Sequence, residues 1–271
     1  WTGITHWRVQ ALVFGTTFVV FPVIGFGIVT LARGHLDGGL VAGLMFLSLL
    51  PSTVQSSIAF TSIARGNVAA ALCCASLSNL AGVVITPLLA TLFLGAGSGG
   101  MSLDAVGDIA VQILLPFVVG QCVRPLVSGW LQRRKTLTTL FDRGSILLVV
   151  YSAFSAGVVA GIWGRVTSQS LALVIVLDLV MLAIVLAFTT AASRLLRFSA
   201  EDEISIVFCG SKKSLASGLP MANILFPAST VGLIVLPLML FHQMQLMVCA
   251  ALARRYATRP EEAAPITTAL A

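Results

Sequence analysis

Two adjacent lysines, Lys212 and Lys213, stand in the stretch GSKKSLASGLPMANILFP, with EISIVFC before it and ASTVGLIVLPLMLF after it. Positive charge at membrane depth is costly even when snorkelling and water defects relieve it. Residues kept there are candidates for holding a solute or handling a proton, because a lysine out of water can exist uncharged. Neighbouring helical positions lie about 100° apart, so both lysines face one spot only if the helix is broken between them. A lysine can also snorkel, or pair structurally with a carboxylate. Asp178, between VIVL and LVML, is the one carboxylate deep in an apolar run, and could relay a proton or neutralise a lysine. Gln55, Ser56 and Ser57 follow Pro51, and Asn223 follows Pro220. Such residues meet ligands where a proline opens a membrane helix. Asn79, with Ser76 and Ser78, could bind a ligand or act as interhelical glue worth about 1 kcal/mol. Enzyme chemistry is not expected. His242 in LFHQMQL has no metal-ligand set around it. GSKKS lacks the rest of a phosphate loop, and no nucleophile–base–orienter set is apparent.

The elements that must position these groups belong to a membrane. The chain is 58% hydrophobic and only 10% charged, with a net charge of +6, against about 25% charged for a soluble domain. Its solvent is largely lipid, so the positive charge points to membrane orientation rather than nucleic acid. The five cysteines, in or beside apolar runs, read as small packing residues rather than disulfides. Spans are expected at Val9–Leu31, Leu40–Ile63, Val68–Leu94, Ile109–Val123 (beginning nearer Leu103), Ser145–Trp163, Leu171–Ser193, Ile204–Phe226 and Val231–Leu252. Pro51 and Pro220 should break the second and the seventh, since proline removes a donor and clashes with the preceding turn. Alternating sides from a cytoplasmic Arg8 puts twelve basic residues inside and two, Arg33 and Arg165, outside. That asymmetry implies cytoplasmic termini. The short basic loop RRKTLTTLFDRG fits the same rule, with anionic lipid as a further partner.

Two Pro-interrupted segments in corresponding places point to a secondary transporter with its site near the midplane. Four spans before the basic loop and four after it do not divide into inverted repeats, whereas five and five would if two helices preceded Trp1. WTGITHWR has no initiator methionine, and reads as the start of a trimmed chain.

PSTVQSSIAFTSIARGNVAAALCCASLSNLAGVVITPLL, CGSKKSLASGLPMANILFP and FHQMQLMVCAALARRYA together resemble the bile acid/sodium symporter superfamily. They are most similar to its YfeH-like bacterial branch, related to the seventh member of the vertebrate solute carrier 10 family. The likeness runs from about Ile4 to Ala257. It implies an all-α membrane protein: a symporter-like bundle with inverted repeats and two broken, crossing helices, eight spans present of ten. Residues 1–271 then form one transmembrane domain, with 9–94 the remaining helices of the first repeat, 103–257 the second, and 258–271 a flexible cytoplasmic tail. The family's sodium-ligand pattern falls on Phe208, Lys212 and Lys213 of the second broken helix, on Ser57 and Ile58 of the first, and on Ala71 and Ala75. Phe208, Ile58, Ala71 and Ala75 carry no side-chain oxygen, which a hard cation needs. No cofactor and no metal are expected, and sodium is not expected at the usual sites.

The resemblance implies a bacterial inner-membrane transporter of an organic, anionic solute, working by alternating access, with lipid as its other partner. Positive charge that sodium supplies in relatives would come from a lysine. The alternative is a membrane regulator or scaffold that retains the transporter fold, linked through the vertebrate relative to calcium homeostasis.

Overall fold

The computed structural model describes residues 7–95, 103–159, 161, 164 and 166–259. Its described elements are all helical. Helix α1 (Trp7–Gly15) runs through a π-helical turn, Thr16–Val20, into α2 (Phe21–Ala32). There follow α3 (Gly38–Leu49), α4 (Gln55–Ile63), α5 (Val68–Leu94), α6 (Leu103–Arg133), α7 (Lys135–Val159), α8 (Ser168–Leu195), α9 (Ala200–Gly210), α10 (Leu215–Leu225) and α11 (Ala228–Ala257).

Local chemistry sets the starts. Asp37 accepts from the Gly39 N–H at 2.8 Å to open α3, and Asn67 accepts from Ala70 at 3.0 Å to open α5. Ser199 caps α9 above an acidic first turn of Glu201, Asp202 and Glu203, where negative charge suits the helix dipole. Helix α3 stops at Leu49 because Pro51 drives Leu50 into extended backbone, with ψ 155°. The largest apolar cluster joins α2, α3, α8, α10 and α11 through Phe21, Leu44, Met181, Leu219 and Phe241.

The span count corrects the sequence reading. Among the described residues, four helices rather than eight are long and apolar enough to cross a membrane: Trp7–Ala32, Val68–Leu94, Ser168–Leu195 and Ala228–Ala257. The runs read as spans at Leu40–Ile63 and Ile204–Phe226 are each a pair of short helices, α3 with α4 and α9 with α10, of 9 to 12 residues. At 1.5 Å per residue such helices reach roughly 14–18 Å, short of the ~30 Å hydrocarbon core. A hydropathy window averages across a few residues of open backbone without registering them. The Ile109–Val123 and Ser145–Trp163 runs fall in or near α6 and α7, neither of which is among the four. Trp163, and the expected tail beyond Arg259, lie outside the described residues. The architecture is therefore an all-α, multi-pass bundle with broken helices.

Pro220 also departs from expectation. It is the sixth residue of α10, and the break lies upstream at Ser211–Ser214. The backbone turns there because Ser214 caps α10 through the Ser217 N–H at 3.2 Å. Pro51 does stand in its break, against Gly82 of α5. A Cβ on Gly82 would lie 2.6 Å from the Pro51 ring, so only glycine permits the approach.

Basic residues gather at one end of the bundle. Arg8 donates to the Leu196 carbonyl at 3.2 Å, and Arg259 donates to the Arg65 carbonyl at 3.0 Å and to Glu201 at 3.1 Å. Arg194 forks onto Glu203. Arg33 follows α2, at the far end of the 26-residue Trp7–Ala32 unit.

Candidate functional site

The two breaks meet, and each satisfies the other's backbone. The Ser214 N–H donates to the Pro51 carbonyl at 2.9 Å. Ser52 Oγ donates to the Cys209 carbonyl at 2.6 Å, and Ser57 Oγ to the Phe208 carbonyl at 3.0 Å. Helix α5 supplies the remainder. Ser78 Oγ accepts from the Ser52 N–H at 3.1 Å, and Thr86 Oγ1 donates to the Leu49 carbonyl at 2.9 Å. Asn79 ties both breaks together: its Nδ2 donates to the Ser52 carbonyl at 2.8 Å, and its Oδ1 accepts from Ser217 Oγ at 2.7 Å. Open backbone is tolerated in a bilayer only with such partners.

Lys213 is buried within this junction. Its Nζ donates to the carbonyls of Thr17, Ser48 and Leu50 at 2.9, 2.8 and 2.6 Å, matching the three donors of an ammonium. Each carbonyl lacks its helical donor. In the π-turn the Phe21 N–H goes to Thr16, so Thr17 would need Pro22, which has no N–H. Ser48 and Leu50 lie at the end of α3, where the Ser52 N–H is already committed to Ser78. The Phe21 ring lies under Nζ, 4.1 Å from its centroid. Gln245 of α11 clamps the Lys213 backbone, accepting from its N–H and donating to its carbonyl, both at 2.9 Å.

Lys212, also buried, turns the other way. Its Nζ donates to the Ser56 carbonyl at 2.9 Å and sits 4.0 Å from the Phe60 ring centroid and 5.3 Å from that of Phe208. The open backbone of the break is what lets two adjacent side chains serve separate places.

A cavity of about 740 Å³ lies on the Lys212 side. The first turns of two helices open onto it: Gln55 and Ser56 of α4, and Leu215, Ala216 and Ser217 of α10. Among the described residues no side chain caps α4, so its leading N–H groups remain available, and helix N-termini carry partial positive charge. Thr53, Asn79, Ser214 and His242 supply further polar lining. The structure thus brings Gln55, Ser56 and Asn79 to the cavity, with Lys212 reaching it through Ser56. Ser57 is buried behind it, and Asn223 bonds back to Leu219 of its own helix at 3.0 Å. Asp178 is separate: it is buried, and among the described residues neither carboxylate oxygen has a hydrogen-bond partner, so it pairs with neither lysine.

Four site residues escaped the sequence reading. Thr53, Ser217 and Gln245 are not singled out in the sequence, and His242 enters there only as a metal-ligand candidate without a ligand set. Gln245 donates to His242 Nδ1 at 2.8 Å as well as holding Lys213. The spacing of His242 and Gln245, one helical turn apart in an apolar run, was the available signal.

The positions laid on the family's sodium ligands are largely apolar. Phe208 packs with Ala64, Ile204 and Cys249, and Ala71 and Ala75 pack with Val9, Val13 and Ile206. Among the described residues no group of His, Cys, Asp or Glu could hold a metal ion.

Comparison with known proteins places these features. The model of the SBF-like CPA transporter family matches residues 1–258. The chain is 55% identical to the uncharacterized protein PA2026 of Pseudomonas aeruginosa over 97% of its own length and 79% of that protein's. It is 52% identical to YfeH of Escherichia coli, over 95% of this chain and 77% of the relative. It is also 27% identical to the sodium/bile acid cotransporter 7 of Rattus norvegicus, over 91% and 74% of the two chains.

Proposed function

Since the chain belongs to the SBF-like CPA transporter family, and is thereby a multi-pass membrane transporter rather than an enzyme, we propose that it carries a small organic anion by alternating access through the cavity between its two breaks. One observation carries this reading: the N-terminal turns of α4 and α10 open together on that cavity. Two helix N-termini aimed at one space favour a carboxylate, sulfonate or phosphate there. The volume of about 740 Å³ suits a small organic molecule. Lys212, one carbonyl behind Ser56, adds positive charge without filling the space.

The vertebrate relatives carry sodium in their names, but the residues at the corresponding positions here do not fit that ion. Phe208, Ile58, Ala71 and Ala75 offer no side-chain oxygen. The Lys213 Nζ already occupies a set of three carbonyl oxygens, the type of donor a hard cation takes. In this reading the lysine is a tethered cation and transport does not draw on sodium at those positions. The halves 9–94 and 103–257, each contributing one break, are the bodies that would rock about the site. The arginine-rich end of the bundle would face the cytoplasm of a bacterium's inner membrane, with both described ends of the chain on that side.

The test is uptake and solid-supported-membrane current in proteoliposomes, over matched sets of carboxylates, sulfonates, neutral amides and amines. Saturable signals confined to anions, and lost in Ser217→Trp, are expected. Signals from amines or neutral solutes alone would refute the reading.

A further inference from the structure

A second cavity, of about 620 Å³, lies between α8 and α11, away from the breaks. The small residues Ala187 and Ala191 on α8 and Ala251 on α11 leave room for it, and Leu186, Thr190, Val248 and Leu252 line it beside them. Spacings of three, four and eight residues put each set on one stripe of its helix. Both stripes end in arginine, Arg194 in the last turn of α8 and Arg255 in the last turn of α11. From Leu186 to Arg194 the groove runs about 12 Å along the helix, comparable with the ~15 Å depth of one leaflet's hydrocarbon.

The arginines differ in their partners. Glu203 takes the Nε and Nη2 of Arg194 at 3.1 Å each, and is itself held by the Tyr256 hydroxyl at 3.0 Å. That fork fixes Arg194 while leaving 66% of its side chain exposed. Arg255 is exposed, and among the described residues its guanidinium makes no hydrogen bond or ion pair. An apolar furrow between two membrane-crossing helices, headed by a fixed and a free guanidinium, matches a molecule with an acyl chain and an anionic head.

We propose that this groove is a binding site for one anionic phospholipid, its phosphate on Arg255 and Arg194 and an acyl chain along the alanines. The site is independent of the solute cavity. Guanidinium pairs with phosphate through charge-assisted, often bidentate hydrogen bonds, and a zwitterionic headgroup would lose much of that gain to its own ammonium.

The experiment uses the full chain in phosphatidylcholine membranes containing spin-labelled phosphatidylglycerol or spin-labelled phosphatidylcholine, with the protein-immobilised fraction read by electron paramagnetic resonance. Wild type should retain phosphatidylglycerol several-fold over phosphatidylcholine. Arg255→Gln should lower that preference about fivefold, while Arg33→Gln, an equal loss of charge at the other end of the bundle, should leave it unchanged. Ala251→Leu keeps both charges but fills the groove, and should reduce retention of both lipids. An unchanged preference in Arg255→Gln would overturn the proposal, as would an equal loss in Arg33→Gln. Displacement of the labelled lipid by millimolar inorganic phosphate would also overturn it, because the acyl chain would then add nothing.

Discussion

Replacing Lys213 with methionine should cost far more stability than the same change at Lys212, although both side chains are buried. Methionine nearly matches the lysine stem in volume, so packing changes little in either variant. The difference lies in the carbonyls left behind. Lys213 serves three, those of Thr17, Ser48 and Leu50, at 2.6–2.9 Å, and none has a helical donor to return to. An acceptor buried without a partner costs about 1–3 kcal/mol. Three of them make a penalty of at least ~3 kcal/mol before any loss from the Phe21 contact. Lys212 serves only the Ser56 carbonyl, inside the regular helix α4, so K212M should cost about 1 kcal/mol. Thermal unfolding in lipid nanodiscs, followed by intrinsic fluorescence, should show K213M lowered by roughly 6 °C or more and K212M by a third of that. Equal shifts, or a K213M midpoint within about 2 °C of wild type, would refute the reasoning, since the carbonyls would then have found water or another donor.

Gln245→Leu strips both backbone bonds from Lys213 and should lower stability by about 2–4 kcal/mol; Gln245→Glu, which keeps the acceptor for the Lys213 N–H, should recover part of that in the same unfolding assay. Asp178→Asn should leave stability unchanged or raise it, because among the described residues neither oxygen has a partner to lose; a loss of transport with normal folding would instead give Asp178 a working role. Gly82→Ala should destabilise by about 1–3 kcal/mol, since its Cβ would press on the Pro51 ring; a wild-type melting curve would show that the first break can shift at little cost. Uptake in proteoliposomes should be indifferent to exchanging sodium for potassium or choline at fixed pH and voltage, and a saturable sodium requirement would be the contrary result.

What the sequence disclosed tracks the reach of local chemistry. Pro51 announced its break because a proline acts on the residue beside it. Pro220 misled, since it stands inside α10 rather than at the break, and the polar run at Ser211–Ser214 was the truer sign. Lys212 and Lys213 stood out as charges in apolar surroundings. Which one faces the cavity depends on open backbone and on carbonyls more than 150 residues away, and no periodicity encodes that. Gln245 is not singled out by the sequence, because its partner, Lys213, is 32 residues distant. The span count failed for a related reason: hydropathy records composition along a run, and four or five residues of open chain alter it little.

The reciprocal satisfaction of the two breaks also imposes an order on synthesis. Leu50 and the Lys213 that completes it are 163 residues apart. At about 5–20 residues per second, the first break leaves the ribosome roughly 8–30 s before its partner exists. Through that interval Ser48, Leu50 and Pro51 hold bare carbonyls, so the segment must wait beside water, the translocation machinery or a chaperone rather than in lipid. The chain is therefore most exposed to misinsertion and proteolysis while it is half made, and slowing elongation between Leu50 and Lys213 should lower the yield of folded protein more than slowing it after Lys213.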